Sequence, residues 1–101
     1  MNALQHLDLA AVDRIKLQIQ PLLQPPDHTK PIPTLQDAVT QLEALVPVDP
    51  SPLDLITWAT AEEKLAAQLP MDLSLWVLAL NMAAYNLRVR ARALPLLSLR
   101  F

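Results

Sequence analysis

Apolar residues recur every three or four positions along most of this chain, and prolines cut that rhythm into four segments. Five prolines fall between Pro21 and Pro33 and three between Pro47 and Pro52, with Pro70 and Pro95 standing alone. Each removes a backbone donor and disfavours helix at the residue before it. The intervals are rich in Leu and Ala and poor in aromatics, which suits helices better than strands.

The first segment predicts a helix from Leu9 to Gln20 or Leu23, capped by Asp8, with Val12, Ile15, Ile19 and Leu22 at helical spacing. Residues 15–19 also alternate as a half-buried strand would, with Ile15, Leu17 and Ile19 on one side. No second strand is evident, which favours helix. Residues 21–33 then read as an extended connector of polyproline character.

The second segment has Thr34 as cap and Asp37 three residues on, followed by Leu35, Ala38, Val39, Leu42 and Leu45 on one face. Pro47 stops it. In the third, Ser51 caps, Pro52 takes the first helical position and Asp54 the third. Leu55, Trp58, Ala59, Leu65, Ala66 and Leu69 form its stripe. Thr60 followed by Glu63 repeats a capping signature, so a break near Thr60 is expected.

The fourth segment is the longest, predicted from Asp72 to Leu94, where Pro95 should end it. Leu73, Trp76, Val77, Leu80, Ala84, Leu87, Ala91 and Leu94 keep a heptad-like spacing. A second apolar line, Leu75, Leu78, Met82 and Val89, lies elsewhere on the cylinder. A narrow polar stripe is formed by Ser74, Asn81, Tyr85, Arg88 and Arg92. A helix apolar nearly all round must be buried nearly all round, either by the three shorter amphipathic helices or, if they cannot cover it, by another chain. After Pro95, an apolar tail over 95–101 ends on Phe101. Free tails are usually polar, so this one should tuck back on the domain, pair as an extended strand or occupy a partner's groove.

The expected fold is therefore all-α: a single domain over 1–101, a small bundle of three to four helices with Pro-rich connectors and the long C-terminal helix central. The length fits one small core. With 52% apolar and 18% charged residues the chain is too hydrophobic to be disordered throughout.

Composition mainly excludes. The chain has no glycine, where about 7% is usual. Without it there is no P-loop, no GxGxxG turn, no EF-hand loop and no GxSxG elbow. The stretch from Trp58 to Arg92 likewise lacks the Gly of a tetratricopeptide helix pair, and no repeat of about 34 residues is visible. No family is recognised. The absence of cysteine removes disulfides, thiolate metal sites and cysteine catalysis together, and favours a reducing compartment. Asp8, Asp13, Arg14 and Lys16 interrupt the first twenty residues, so no secretory leader is expected.

Charge is strongly polarised along the chain. All ten acidic residues lie at or before Asp72, giving −6 for residues 1–72, whereas Arg88, Arg90, Arg92 and Arg100 give +4 beyond it. On a helix Arg88 and Arg92 share a face and Arg90 points away. They could contact phosphate, lipid headgroups or a partner's carboxylates. The plainer alternative is a solvated helix end pairing with the chain's own acids. Three arginines on an acidic chain are a thin footprint for nucleic acid.

Candidates for catalysis are few. His6 and His28 lack metal-site spacing, and adjacent Asp27 and His28 do not make triad geometry. Glu62 and Glu63 diverge by about 100° on a helix, so both are expected at the surface rather than in a shared site. No enzyme activity, cofactor or metal is expected. From Leu73 to Leu87 fifteen uncharged residues span about 22 Å as a helix, short of the roughly 30 Å hydrocarbon core. A buried helix fits better than a membrane span.

The functional expectation is a non-enzymatic protein–protein interaction module of the cytoplasm: a small subunit, adaptor or assembly factor. It would dock another protein, or a second copy of itself in an oligomer, through Trp76, Leu80, Tyr85, Arg88, Arg92 and Phe101. The alternative is a peripheral membrane or nucleic-acid binder using the Arg cluster.

Overall fold

The computed structural model describes residues 8–23, 29 and 33–99, with side chains to residue 93. Four α-helices account for most of them: α1 (Leu9–Ile19), α2 (Leu35–Glu43), α3 (Pro52–Gln68) and α4 (Ser74–Leu99). Short 3-10 turns extend α1 over Gln20–Leu22 and precede α4 over Met71–Leu73. There is no strand among the described residues, so 15–19 is helical.

The caps form where the short polar residues predict them. Asp8 accepts from the Ala10 amide at 2.9 Å. Thr34 and Asp37 cap α2 reciprocally, and Ser51 and Asp54 do the same for α3, each side chain accepting from the other's backbone N–H. Each box satisfies amides that a helix start leaves open. Between α2 and α3 the chain turns through Asp49 at φ 56°. That left-handed position normally falls to glycine, which this chain lacks, and Asp is among the residues that tolerate it.

Three details differ from the sequence reading. Helix α3 runs unbroken through Thr60, whose hydroxyl turns back to donate to the Ile56 carbonyl at 2.8 Å instead of capping a new helix. The α-helical start at Ser74 follows a 3-10 turn rather than beginning at Asp72. Helix α4 also continues through Pro95 to Leu99. Proline's fixed φ is compatible with helix, although its ring leaves the carbonyl of residue 91 without its usual donor. Most of the connector, together with Phe101, His6 and His28, lies outside the described residues.

The helices contact one another in the order α1–α3–α4–α2, so α4 shares the centre with α3. The core joins Val12, Ile15 and Ile19 of α1, Val39 and Leu42 of α2, Leu55, Trp58 and Leu65 of α3, and Trp76, Leu80 and Leu87 of α4. Small residues line the contact: Ala59, Ala61 and Ala66 on α3, and Ala79, Ala83, Ala84 and Ala91 on α4, are all buried. With little side-chain bulk between them, the two longest helices can approach closely.

Candidate functional site

At 1.5 Å per residue the 26-residue α4 is about 39 Å long, and its two apolar lines have opposite fates. The line through Leu73, Leu80 and Leu87, with Trp76, faces inward and is buried. The other faces out. Leu78 is 57% exposed, Met82 44%, Tyr85 68% and Val89 46%, and Met71 at the head of the same line is 93% exposed. Tyr85 therefore belongs to this apolar face, between Met82 and Val89, as well as to the polar stripe beside it.

The polar groups bordering this face mostly bind the helices to one another. Arg88 reaches from α4 to α3, where its Nε and Nη2 donate to the two carboxylate oxygens of Glu63 and Nη2 also donates to the Thr60 hydroxyl at 3.3 Å. Asn86 donates from α4 to Glu43 at the end of α2 at 3.2 Å. Arg90 and Arg92 are exposed and make no ion pair among the described residues.

Of the expected contact residues, Tyr85 and Arg92 lie on the open face. Trp76 and Leu80 are core residues, because their helical positions turn them toward the other helices. Arg88 is half-buried and bonded to Glu63. Phe101 lies outside the described residues.

The polar site that sequence reasoning missed is Glu62. Expected at the surface, it is 0% exposed, and neither carboxylate oxygen has a hydrogen-bond partner. Burial, reinforced by the nearby charges of Glu43 and Glu63, pushes its pKa from 4.5 to about 8, so the group is chiefly protonated at neutral pH. The signal was present in the spacing. Glu62 stands seven residues after Leu55, four after Trp58, three after Ala59 and four before Ala66, at the middle of the α3 stripe.

A buried carboxyl of raised pKa is a frequent feature of active sites, but Glu62 reaches no solvent. Among the described residues no group of three or more His, Cys, Asp or Glu could hold a metal ion. No helix among them is long and apolar enough to cross a membrane. No family model matches the chain, and neither a curated protein nor a solved structure is significantly similar to it.

Proposed function

We propose that this protein is a non-enzymatic interaction module whose working surface is the outward face of α4. One observation carries the reading: Leu78, Met82, Tyr85 and Val89 form a continuous exposed row down the longest helix. Isolated exposed apolar residues are ordinary on protein surfaces. A row at alternating intervals of four, three and four is the pattern by which one amphipathic helix accepts another. Tyr85 suits such a contact, since its ring packs while its hydroxyl stays wet. The partner is an amphipathic helix, and the protein acts as a small subunit or adaptor. A chain without cysteine is compatible with the cytoplasm.

The anion-binding alternative is weaker, because Arg88 already bonds Glu63 and Thr60 and leaves Arg90 and Arg92 to act alone.

The test is a double variant, Leu78→Glu with Val89→Glu, which alters exposed positions and should preserve the helical circular-dichroism spectrum and melting temperature. A protein that co-isolates with the wild-type chain should be lost with the variant. Purified, it should protect residues 75–89 from hydrogen exchange. Equal recovery with both chains, or protection elsewhere, would refute the reading.

A further inference from the structure

We infer that the occupant of this face is a second copy of the same chain, lying antiparallel along α4. The inference rests on the reading just given and names its partner. Extended in both directions, the row takes in Met71 on the preceding 3-10 turn, half-buried Leu75 and exposed Arg92, and Met71, Leu75, Leu78, Met82, Tyr85, Val89 and Arg92 follow at intervals that alternate between four and three. An average spacing of 3.5 residues is the seam of two helices wound about each other. The opposite side of α4, through Leu73, Leu80 and Leu87, is occupied by the chain's own core. The seam is therefore free while its helix is held rigidly from behind.

Charge selects both partner and direction. Asp72 is exposed at the start of the seam, Arg90 and Arg92 are exposed near its end, and none of the three makes an ion pair among the described residues. In a parallel pair each seam residue meets its own copy, so Arg92 would face Arg92, a like-charge contact that disfavours association. Turning one helix round removes that contact and brings the arginine end of each copy to the Asp72 end of the other. The surface is then complementary to itself, which is the requirement of a two-fold interface. One antiparallel register pairs the six apolar seam positions with one another and leaves Arg92 beyond the last layer. Leu78 meets Met82 of the second copy, Leu75 meets Tyr85, and Met71 meets Val89.

The contact is short. From Met71 to Arg92 the seam runs roughly 30 Å, and at a width of about 10 Å it covers on the order of 300 Å² per copy. A standard stable interface uses about 800 Å² per partner. The dimer is accordingly weak and concentration-dependent, with dissociation in the micromolar range or above.

Sedimentation measured from about 5 µM to about 1 mM should show monomer passing to dimer, with Leu78→Glu raising the dissociation constant at least tenfold. Direction is read by cross-linking, because a chain without cysteine gives each introduced thiol no competitor. Met71→Cys and Val89→Cys, both at exposed positions, should remain uncoupled when oxidised singly and form a disulfide dimer when mixed. Self-coupling of each variant alone would mean a parallel pair and overturn the inference. So would a monomeric mass across the whole range. If that monomer still loses a different partner protein on Leu78→Glu with Val89→Glu, this inference falls and the interaction-module reading stands. If no partner depends on the face, both fall.

Discussion

Helix α3 buries a carboxyl in the middle of its apolar stripe, whereas α4 leaves a row of large apolar side chains in water. The two helices share an interface and are built from similar residues, yet they depart from the usual inside–outside sorting in opposite directions. Angular position explains both departures. Glu62 falls on the arc of α3 that also carries Leu55, Trp58, Ala59 and Ala66, and it goes where that arc goes. Leu78, Met82 and Val89 fall opposite Leu80 and Leu87, and the same cohesion that buries one line of α4 turns the other outward. A helix is a rigid cylinder, so a strongly packed face drags misfit residues inside and displaces good ones to the surface.

The most direct challenge to that comparison is to truncate the same residue type on both lines of α4. Leu80→Ala should lower the unfolding free energy in urea by about 2–5 kcal/mol, since it removes a fully buried side chain and leaves a cavity. Leu78→Ala should change it by no more than about 0.5 kcal/mol in the dilute monomer. Equal losses would mean that α4 is covered on both sides within one chain.

The next effect concerns Glu62 and its pH dependence. The folded chain keeps the Glu62 proton up to about pH 8, whereas the unfolded chain loses it near 4.5. Between those values the unfolded state binds fewer protons, so stability should fall as pH rises, by at most about 1.4 kcal/mol per pH unit. Below the unfolded value the contribution is fully present, and above about pH 8 the curve should flatten. Glu62→Met, which fills similar volume without a charge, should abolish this slope and exceed the wild type in stability at pH 9 by a few kcal/mol. A wild-type curve rising through this window would show that the carboxyl is ionised and compensated in the fold.

How far the sequence foretold these features depends on what each one rests on. The caps were legible because Ser, Thr and Asp at fixed offsets act locally, and Thr34, Asp37, Ser51 and Asp54 all bond as their spacing implies. The apolar stripes of α2 and α3 were legible for a similar reason. Thr60 is ambiguous in sequence because its hydroxyl can either cap a helix or bond back within one, as it does here to the Ile56 carbonyl. Glu62 escapes a reading by residue type, because its charge points to the surface while its angular position on α3 points to the core. The two lines of α4 were visible, but which one faces inward is decided by α2 and α3 together. That choice left Trp76 and Leu80 in the core and Tyr85 outside. The run of α4 past Pro95 was also beyond local rules, which treat proline as a stop.

A smaller effect tests how much the caps contribute to the rigid face. Ser51→Ala removes the acceptor of the Asp54 amide and leaves one orphan donor at the start of α3, and it should cost about 1 kcal/mol in urea denaturation. Ser51→Gly should cost less, since glycine is itself a tolerated cap. If the alanine variant costs nothing, the helix pair is held by its apolar contact alone.

The smallest expected effect is the coupling between Arg88 and Glu63, and it bears on what the arginines are for. Lys16 and Asp13 also pair, but as neighbours within α1 at a single contact of 3.6 Å. Such pairs on one helix contribute about 0.3–0.5 kcal/mol. Arg88 instead joins two helices, meets both oxygens of one carboxylate and holds the Thr60 hydroxyl as well. Two-point contact restricts the fork more strongly than a single ammonium contact does. Because both side chains remain partly solvated, the coupling should still stay near 1 kcal/mol in a double-mutant cycle of Arg88→Ala and Glu63→Ala, declining with added salt. Arg92→Ala should leave the stability of the monomer unchanged. Were Arg88 as dispensable as Arg92, the arginines would form one free cationic group and the case for an anionic ligand would return. A measurable difference between them instead divides the cluster into one structural arginine and an outward pair available to a partner.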